Sequence, residues 1–207
     1  MTGIYIGPRP ISNLAMTYSD RILNLGRFFY RYRAVIAVPF FILLVLLSNP
    51  LASKLTNNIH PLLFPPPFRA RIMKGDILIL LGMAIRIWAA GYIGPKSRSS
   101  GFLTDCRIIN GPYQYLKHPL YIGNFFLVLG VVVLYNPPVW LATLLLIVFL
   151  TEYAVIIIAE TSYLKHLSPR AMPFSWQNVS SEISTTVVVA LIYSIFLARF
   201  LMALRQY

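Results

Sequence analysis

The feature that most constrains this chain is a series of apolar runs, each about as long as a bilayer's hydrocarbon core is thick. The runs cover residues 34–52, 76–94, 119–135, 139–159 and 183–203. A helix of about 20 residues rises about 30 Å, which matches that core. Because lipid offers no hydrogen bonds to the backbone, the runs are predicted to be helices. The expected fold class is therefore all-α, a polytopic bundle of about four to five transmembrane helices.

Composition supports a lipid environment. Hydrophobic residues make up 57% of the chain and charged residues 12%, against about 25% charged in ordinary soluble domains. The net charge of +12 fits the excess of Lys and Arg in the cytoplasmic loops of membrane proteins. No basic run with interleaved aromatics lies on an otherwise polar surface, so no nucleic acid is expected as a partner. The single cysteine, Cys106, excludes an internal disulfide and a thiolate metal cluster, and we expect no metal site.

The length predicts one membrane domain over residues 1–207. Residues 1–33 are expected to be a basic interfacial lead-in, 34–182 the core and 183–207 a C-terminal helix. Lys and Arg are more numerous in the lead-in and in the loops 95–118 and 161–182 than in the opposite connectors, which predicts a cytoplasmic N-terminus.

Polar side chains converge at one membrane face in this topology. The turn Asn136-Pro137-Pro138 predicts that the third and fourth runs form an antiparallel hairpin. The start of the third run and the end of the fourth then meet the 95–118 loop. There, Tyr113, His118, Tyr121 and Glu160 form either a small-molecule site or an aromatic belt at the headgroups.

Two charges lie inside apolar runs, Arg86 and Glu152. Intramembrane charges face the bundle interior because exposure to lipid is costly. We expect these two to pair with each other; alternatively, Arg86 holds an anionic headgroup or a substrate carboxylate. Gly82 and Gly91 on the same run as Arg86 are predicted to allow close helix approach.

A longer motif points to a family. Residues 111–130 read GPYQYLKHPLYIGNFFLVLG and closely resemble the GPYxYxRHPxYxG signature of the isoprenylcysteine carboxyl methyltransferase family. That family and its relatives, the phospholipid methyltransferases, are integral membrane enzymes that use S-adenosylmethionine. Residues 25–36, 82–98 and 156–164 also look like stretches of bacterial members, so the resemblance spans about residues 25–165. No GxGxxG follows a strand, which excludes a soluble-type cofactor fold.

The resemblance implies a site at the cytoplasmic face for S-adenosylmethionine. Glu160 matches the first acid of the family's acidic pair and would bind the cofactor's polar end. His118, Tyr121 and Arg86 are the predicted catalytic residues. The predicted cofactor-binding residues are Asp105, Cys106, Arg107, Ile108, Tyr113, His118, Pro119, Leu120, Tyr121 and Glu160.

The chain departs from the family pattern in three places. The second acid is Thr161, the usual tail is replaced over residues 162–182, and Ile156 stands where eukaryotic members place an arginine that contacts the substrate carboxylate. The expected function is methyl transfer to a lipophilic acceptor that enters from the bilayer, first the carboxylate of an isoprenylcysteine-like molecule. The alternatives are an amine phospholipid of the phosphatidylethanolamine type, an NADPH-dependent membrane reductase of related architecture, and a non-catalytic lipid-binding member. Membrane lipids are the expected partners.

Overall fold

The protein's architecture is taken from a computed structural model, which describes residues 13–48, 68–93 and 106–205. The long helices are α1 (Asn13–Leu47), α2 (Phe68–Tyr92), α3 (Pro119–Tyr135), α4 (Val139–Leu164) and α6 (Ile183–Arg205), with a short helix α5 (Trp176–Val179). Two strands, β1 (Arg107–Ile108) and β2 (Pro169–Arg170), and two 3₁₀ turns, Gly111–Gln114 and Ser180–Glu182, complete the described part. The all-α polytopic bundle expected from the apolar runs is confirmed.

The helix bounds follow the apolar runs closely in the second half of the chain. Helix α3 has the bounds of the third run, because Pro119 starts it and Asn136 ends it in the left-handed conformation (φ 50°). Helix α1 differs from expectation, since the basic lead-in and the first run are one helix of 35 residues that accommodates Pro39. Much of the proline-rich connector, residues 53–67, lies outside the described residues.

Among the described helices, three are long and apolar enough to cross a membrane, by length and composition alone. They cover Arg21–Leu47, Val139–Leu164 and Trp176–Met202. Helix α3 is apolar but has only 17 residues. Helix α2 carries five charged residues among its 25, Arg69, Arg71, Lys74, Asp76 and Arg86. The integral membrane character is therefore retained, whereas the expected number of about four to five spans is not confirmed.

Glycines bring α2 and α3 into close contact. A Cβ atom on Gly82 would lie 2.7 Å from the carbonyl oxygen of Gly123, and one on Gly130 would lie 2.9 Å from that of Gly75. Such distances require the absence of a side chain, which confirms the role expected of Gly82. Gly91 instead receives the Phe174 ring, 2.0 Å from where its Cβ would stand. The close approach places the N-terminus of α3 beside the middle of α2.

The other helices surround this pair. Helix α1 packs against α4, and α3 packs chiefly against α2. Helices α3 and α4 therefore have little contact with each other. One buried cluster joins Leu44, Ile79, Leu134, Tyr135 and Phe196. A second cluster, Tyr121, Ile156 and Ala159, lies at the other end of the bundle.

The expected pairing of Arg86 with Glu152 is wrong. Arg86 forms a salt bridge of 2.8 Å with Glu182, which precedes α6. Glu152 is buried on α4, and its electrostatic neighbour is Arg33 of α1. The reason is helix order: α4 packs against α1, whereas Arg86 projects from α2 towards α3 and the start of α6.

A small parallel sheet was not expected from the sequence. Arg107 pairs with Pro169 and Ile108 with Arg170, so the segment before the 3₁₀ turn is fastened to the segment after α4. The Asn110 side chain extends this junction, because it donates to the Met172 carbonyl at 2.7 Å and accepts from the Met172 amide at 2.9 Å. The junction forms one wall of the cavity described next.

Candidate functional site

One cavity of about 760 Å³ lies where α1, α2, α3, α4 and the start of α6 meet the β1 segment. Every predicted site residue within the described chain lines it: Arg86, Cys106, Arg107, Ile108, Tyr113, His118, Pro119, Leu120, Tyr121 and Glu160. Asp105 lies outside the described residues. The structure thus brings these side chains together, and their assignment to a cofactor stays a prediction.

His118 is held between two consecutive residues of α4. Its Nδ1 lies 3.1 Å from Glu160 Oε2, and its Nε2 lies 2.9 Å from Thr161 Oγ1. The side chain is 12% exposed and that of Glu160 25% exposed, so both retain access to the cavity. The His118 backbone caps α3, since its carbonyl accepts from the amides of Tyr121 and Ile122. The His-Pro pair therefore starts the helix and directs the imidazole towards α4.

Tyr121 completes this group. Its ring lies nearly parallel to that of His118, with centroids 5.7 Å apart, and meets the Tyr153 ring edge-on. The Glu160 carboxylate is an electrostatic neighbour of the Tyr121 hydroxyl. His118 therefore contacts both the Tyr121 ring and the Glu160 carboxylate at the cavity wall.

Arg86 lines the cavity, but its guanidinium is largely engaged within the protein. Nε donates to Glu182 Oε2 at 2.8 Å, and one terminal nitrogen donates to Glu182 Oε1 at 3.2 Å and to Thr185 Oγ1 at 2.9 Å. The other terminal nitrogen donates to Asn124 of α3. Arg86 thus ties α2 to α3 and α6, and this geometry favours a positioning role over a direct role in chemistry.

The 3₁₀ turn explains the first residues of the signature. Gly111 has φ +62°, and a Cβ atom there would lie 2.4 Å from the Tyr92 ring. Only glycine meets both conditions without strain. Pro112 is buried at the next position, and Tyr113 then reaches the cavity with its hydroxyl 3.5 Å from the Ala89 carbonyl.

Sequence reasoning missed several wall residues. Tyr30 and Arg33 come from α1, and the Arg33 guanidinium lies over the Tyr30 ring at 4.3 Å. Asn124 comes from α3, Ser181 from the 3₁₀ turn before α6, and Ser184 and Thr185 from the start of α6. The signal for Arg33 was its three-residue spacing from Tyr30, which places both on one helical face; no local signal marks the contribution of α6.

The cavity wall is strongly cationic. Among the described residues of the wall, and besides Arg86, which Glu182 neutralises, the cations are Arg33, Arg107, Lys117 and Lys165, and the carboxylate is that of Glu160. A concave surface with this imbalance attracts anionic groups. Glu160 and the rings of Tyr30, Tyr113 and Tyr121 provide the contrasting surface on which a cationic group can rest.

Comparison with known proteins gives a consistent but partial match. The family model described as phospholipid methyltransferase matches residues 70–168, which run from α2 to just beyond α4. A phosphatidylethanolamine N-methyltransferase B from Dictyostelium discoideum is 28% identical over 99 residues, which are 46% of this chain and 49% of the relative. The chain thus spans about half the length of that curated relative. No solved structure matches. The similarity is to phospholipid methyltransferases, and the isoprenylcysteine family is not confirmed.

Proposed function

We propose that this protein is an S-adenosylmethionine-dependent membrane methyltransferase that acts on the amine of a phospholipid headgroup of the phosphatidylethanolamine type. The observation that carries the proposal is the cluster of Glu160, His118 and Thr161 in the wall of the 760 Å³ cavity. The cluster lies within the stretch that matches the phospholipid methyltransferase model.

The residues present fit the cofactor. The cavity volume lies within the range of about 300–1,000 Å³ that is usual for ligand sites. The Glu160 carboxylate suits the cofactor's ammonium group, the rings of Tyr113 and Tyr121 suit the sulfonium, and Arg107 or Lys117 suits the carboxylate. When bound, S-adenosylmethionine supplies an electrophilic methyl carbon whose bond to sulfur breaks, with the electron pair left on sulfur, as the acceptor bond forms.

Two observations favour an amine acceptor over a carboxylate. An amine arrives as an ammonium and must lose a proton before it attacks, and His118 lies at the cavity wall as a base. Ile156, which stands where the resembled family places an arginine that contacts the substrate carboxylate, is fully buried and does not line this cavity. The cations Arg33 and Lys165 would attract the phosphate of a lipid headgroup.

The acceptor is proposed to enter laterally from the bilayer. With the N-terminus in the cytoplasm, the cavity opens on the cytoplasmic face, where the cofactor is dissolved. The exposed apolar faces of α1, α4 and α6, which include Val35, Ile147 and Val187, would contact lipid tails. Under this arrangement the protein positions one aqueous and one lipid substrate at a shared wall.

The test uses the purified protein in detergent and then in vesicles. S-adenosylmethionine is titrated against the protein with NADPH as a parallel ligand, and methyl transfer is measured with phosphatidylethanolamine or a farnesylcysteine analogue as acceptor. Binding of S-adenosylmethionine alone, with methylation of the phospholipid, supports the proposal. Binding of NADPH would favour the reductase, methylation of the farnesylcysteine analogue would favour the isoprenylcysteine acceptor, and binding without any product would favour a non-catalytic lipid-binding role.

A further inference from the structure

The hydroxyl of Thr161 has an unusual partner for a helical residue. Hydroxyls inside helices commonly donate to the carbonyl four residues earlier. Thr151 and Ser162 on the same helix do so, to Ile147 at 2.8 Å and Ile158 at 2.9 Å. Thr161 Oγ1 instead reaches across to His118 Nε2 at 2.9 Å. The hydroxyl is therefore directed into the cavity wall rather than along its own helix.

The two contacts of His118 assign the roles of its ring nitrogens. An ionised carboxylate only accepts hydrogen bonds, so Nδ1 carries the proton that faces Glu160. In neutral His118, Nε2 then accepts the Thr161 hydroxyl proton; in the imidazolium, Nε2–H donates to Thr161 Oγ1. Both contacts survive either state, and His118 can gain or lose a proton without moving.

We propose that Thr161, His118 and Glu160 form a proton relay in which the Thr161 hydroxyl contacts the acceptor's ammonium group. This inference rests on the proposed function and specifies how its amine is activated. Thr161 stands where the resembled family carries its second acid, so this chain replaces a fixed negative charge by a group that can pass a proton on. All three side chains line the cavity, as the relay requires.

A primary ammonium headgroup loses one proton to this relay in two transfers. His118 Nε2 takes the hydroxyl proton of Thr161, and Thr161 Oγ1 takes one proton from the ammonium. Thr161 thereby remains neutral, His118 becomes an imidazolium stabilised by Glu160, and the acceptor becomes an amine with a free lone pair. His118 later returns its proton to water at the cavity mouth, so the relay is restored for another cycle.

The charged and titratable neighbours are compatible with this transfer. The described charged and titratable groups that share the cavity wall with His118 are Tyr30 and Arg33 of α1, Arg86 of α2, Cys106 and Arg107 at β1, Tyr113, Lys117 and Tyr121 before and on α3, and Glu160 and Lys165 at the end of α4. Cations outnumber carboxylates among them. This excess of positive charge in the wall disfavours the charged form of the bound acceptor. It therefore favours loss of the ammonium proton.

The test compares Thr161→Val, which keeps the shape and removes the hydroxyl, with Thr161→Ser, which keeps the hydroxyl. Ser162→Ala is the matched control, because it removes the neighbouring hydroxyl, which donates to the Ile158 carbonyl of its own helix. Methylation of phosphatidylethanolamine in vesicles is measured between about pH 6 and 9, a range across which the protonation of a histidine changes. Thr161→Val is expected to lose about a hundredfold in rate and the acid limb of the profile. Thr161→Ser and Ser162→Ala should retain both.

Two further readouts separate the relay from the proposed function. S-adenosylmethionine affinity should stay within about twofold in all three variants, because the hydroxyl is directed at the acceptor. Nitrogen-15 NMR of histidine-labelled protein, assigned with His118→Gln, should show neutral His118 protonated on Nδ1. A neutral ring protonated on Nε2, or a Thr161→Val enzyme with normal rate and pH profile, would overturn the relay. Failure of the wild-type protein to bind S-adenosylmethionine would instead overturn the proposed function.

Discussion

Arg86 and Glu182 form a buried two-point ion pair, with Nε donating to Oε2 at 2.8 Å and a terminal nitrogen donating to Oε1 at 3.2 Å. Their side chains are 12% and 3% exposed. The pair joins the middle of α2 to the start of α6, and Asn124 adds α3 to the same guanidinium. The pair therefore helps to hold the cavity wall formed by Ser181, Ser184 and Thr185 beside α2.

Loss of the ion pair should be strongly destabilising. Arg86→Ala leaves the Glu182 carboxylate buried without its cation, and we expect about 3–5 kcal/mol of destabilisation, measured as unfolding in detergent. Arg86→Lys should also lower the stability of the protein, because an ammonium cannot make the two-point contact with Glu182. In double-mutant cycles, Arg86 should couple to Glu182 and not to Glu152. Coupling to Glu152 alone would contradict the observed pairing.

Removal of the polar cluster should weaken cofactor binding. His118→Ala and Glu160→Ala are each expected to lower S-adenosylmethionine affinity at least about tenfold, which is about 1.4 kcal/mol. Tyr115→Ala is the matched control, since Tyr115 follows the same 3₁₀ turn but is 76% exposed and lies outside the cavity. Calorimetric titration of S-adenosylmethionine into each purified variant measures these affinities. Unchanged affinity in both variants would place the cofactor elsewhere.

The contact between α2 and α3 should not tolerate added bulk. Gly82→Ala puts a methyl group 2.7 Å from the Gly123 carbonyl oxygen, and we expect about 1–3 kcal/mol of destabilisation from overpacking. Ala84→Leu adds more volume on the exposed face of the same helix and should have little effect. The thermal unfolding midpoints of both variants are measured in the same detergent. Equal midpoints would contradict the close contact between α2 and α3.

Weakening the junction around the short sheet should disturb the cavity wall that this junction forms. Asn110→Ala removes both hydrogen bonds to Met172, each worth about 1 kcal/mol, and releases the segment that carries Arg107 and Ile108. We expect faster proteolysis near residues 106–110 and weaker S-adenosylmethionine binding. Gln177→Ala, an exposed substitution beyond the junction, is the control. Normal binding together with faster cleavage would mean that the segment orders only when the ligand is bound.

Local sequence predicted the helices well where a run is bounded by turn residues. Pro119 starts α3 because a proline is tolerated in the first turn of a helix but not in its interior. Asn136 ends α3 because it adopts the left-handed conformation. The lead-in was separated from the first run on polarity alone, yet α1 continues through it. Polarity decides which face a helix shows to water or lipid, but backbone hydrogen bonds within the helix continue regardless of it.

The sequence by itself determined the all-α membrane character and the wall residues within the signature, since both depend on run length and on spacing along one segment. Tertiary structure alone decided that Arg86 meets Glu182, that Arg33 enters the cavity, and that β1 pairs with β2. Each of these contacts joins elements distant in sequence. Which helices become neighbours is set by packing, here the glycine contacts of α2 with α3 and the α1–α4 interface, and no local period encodes that choice.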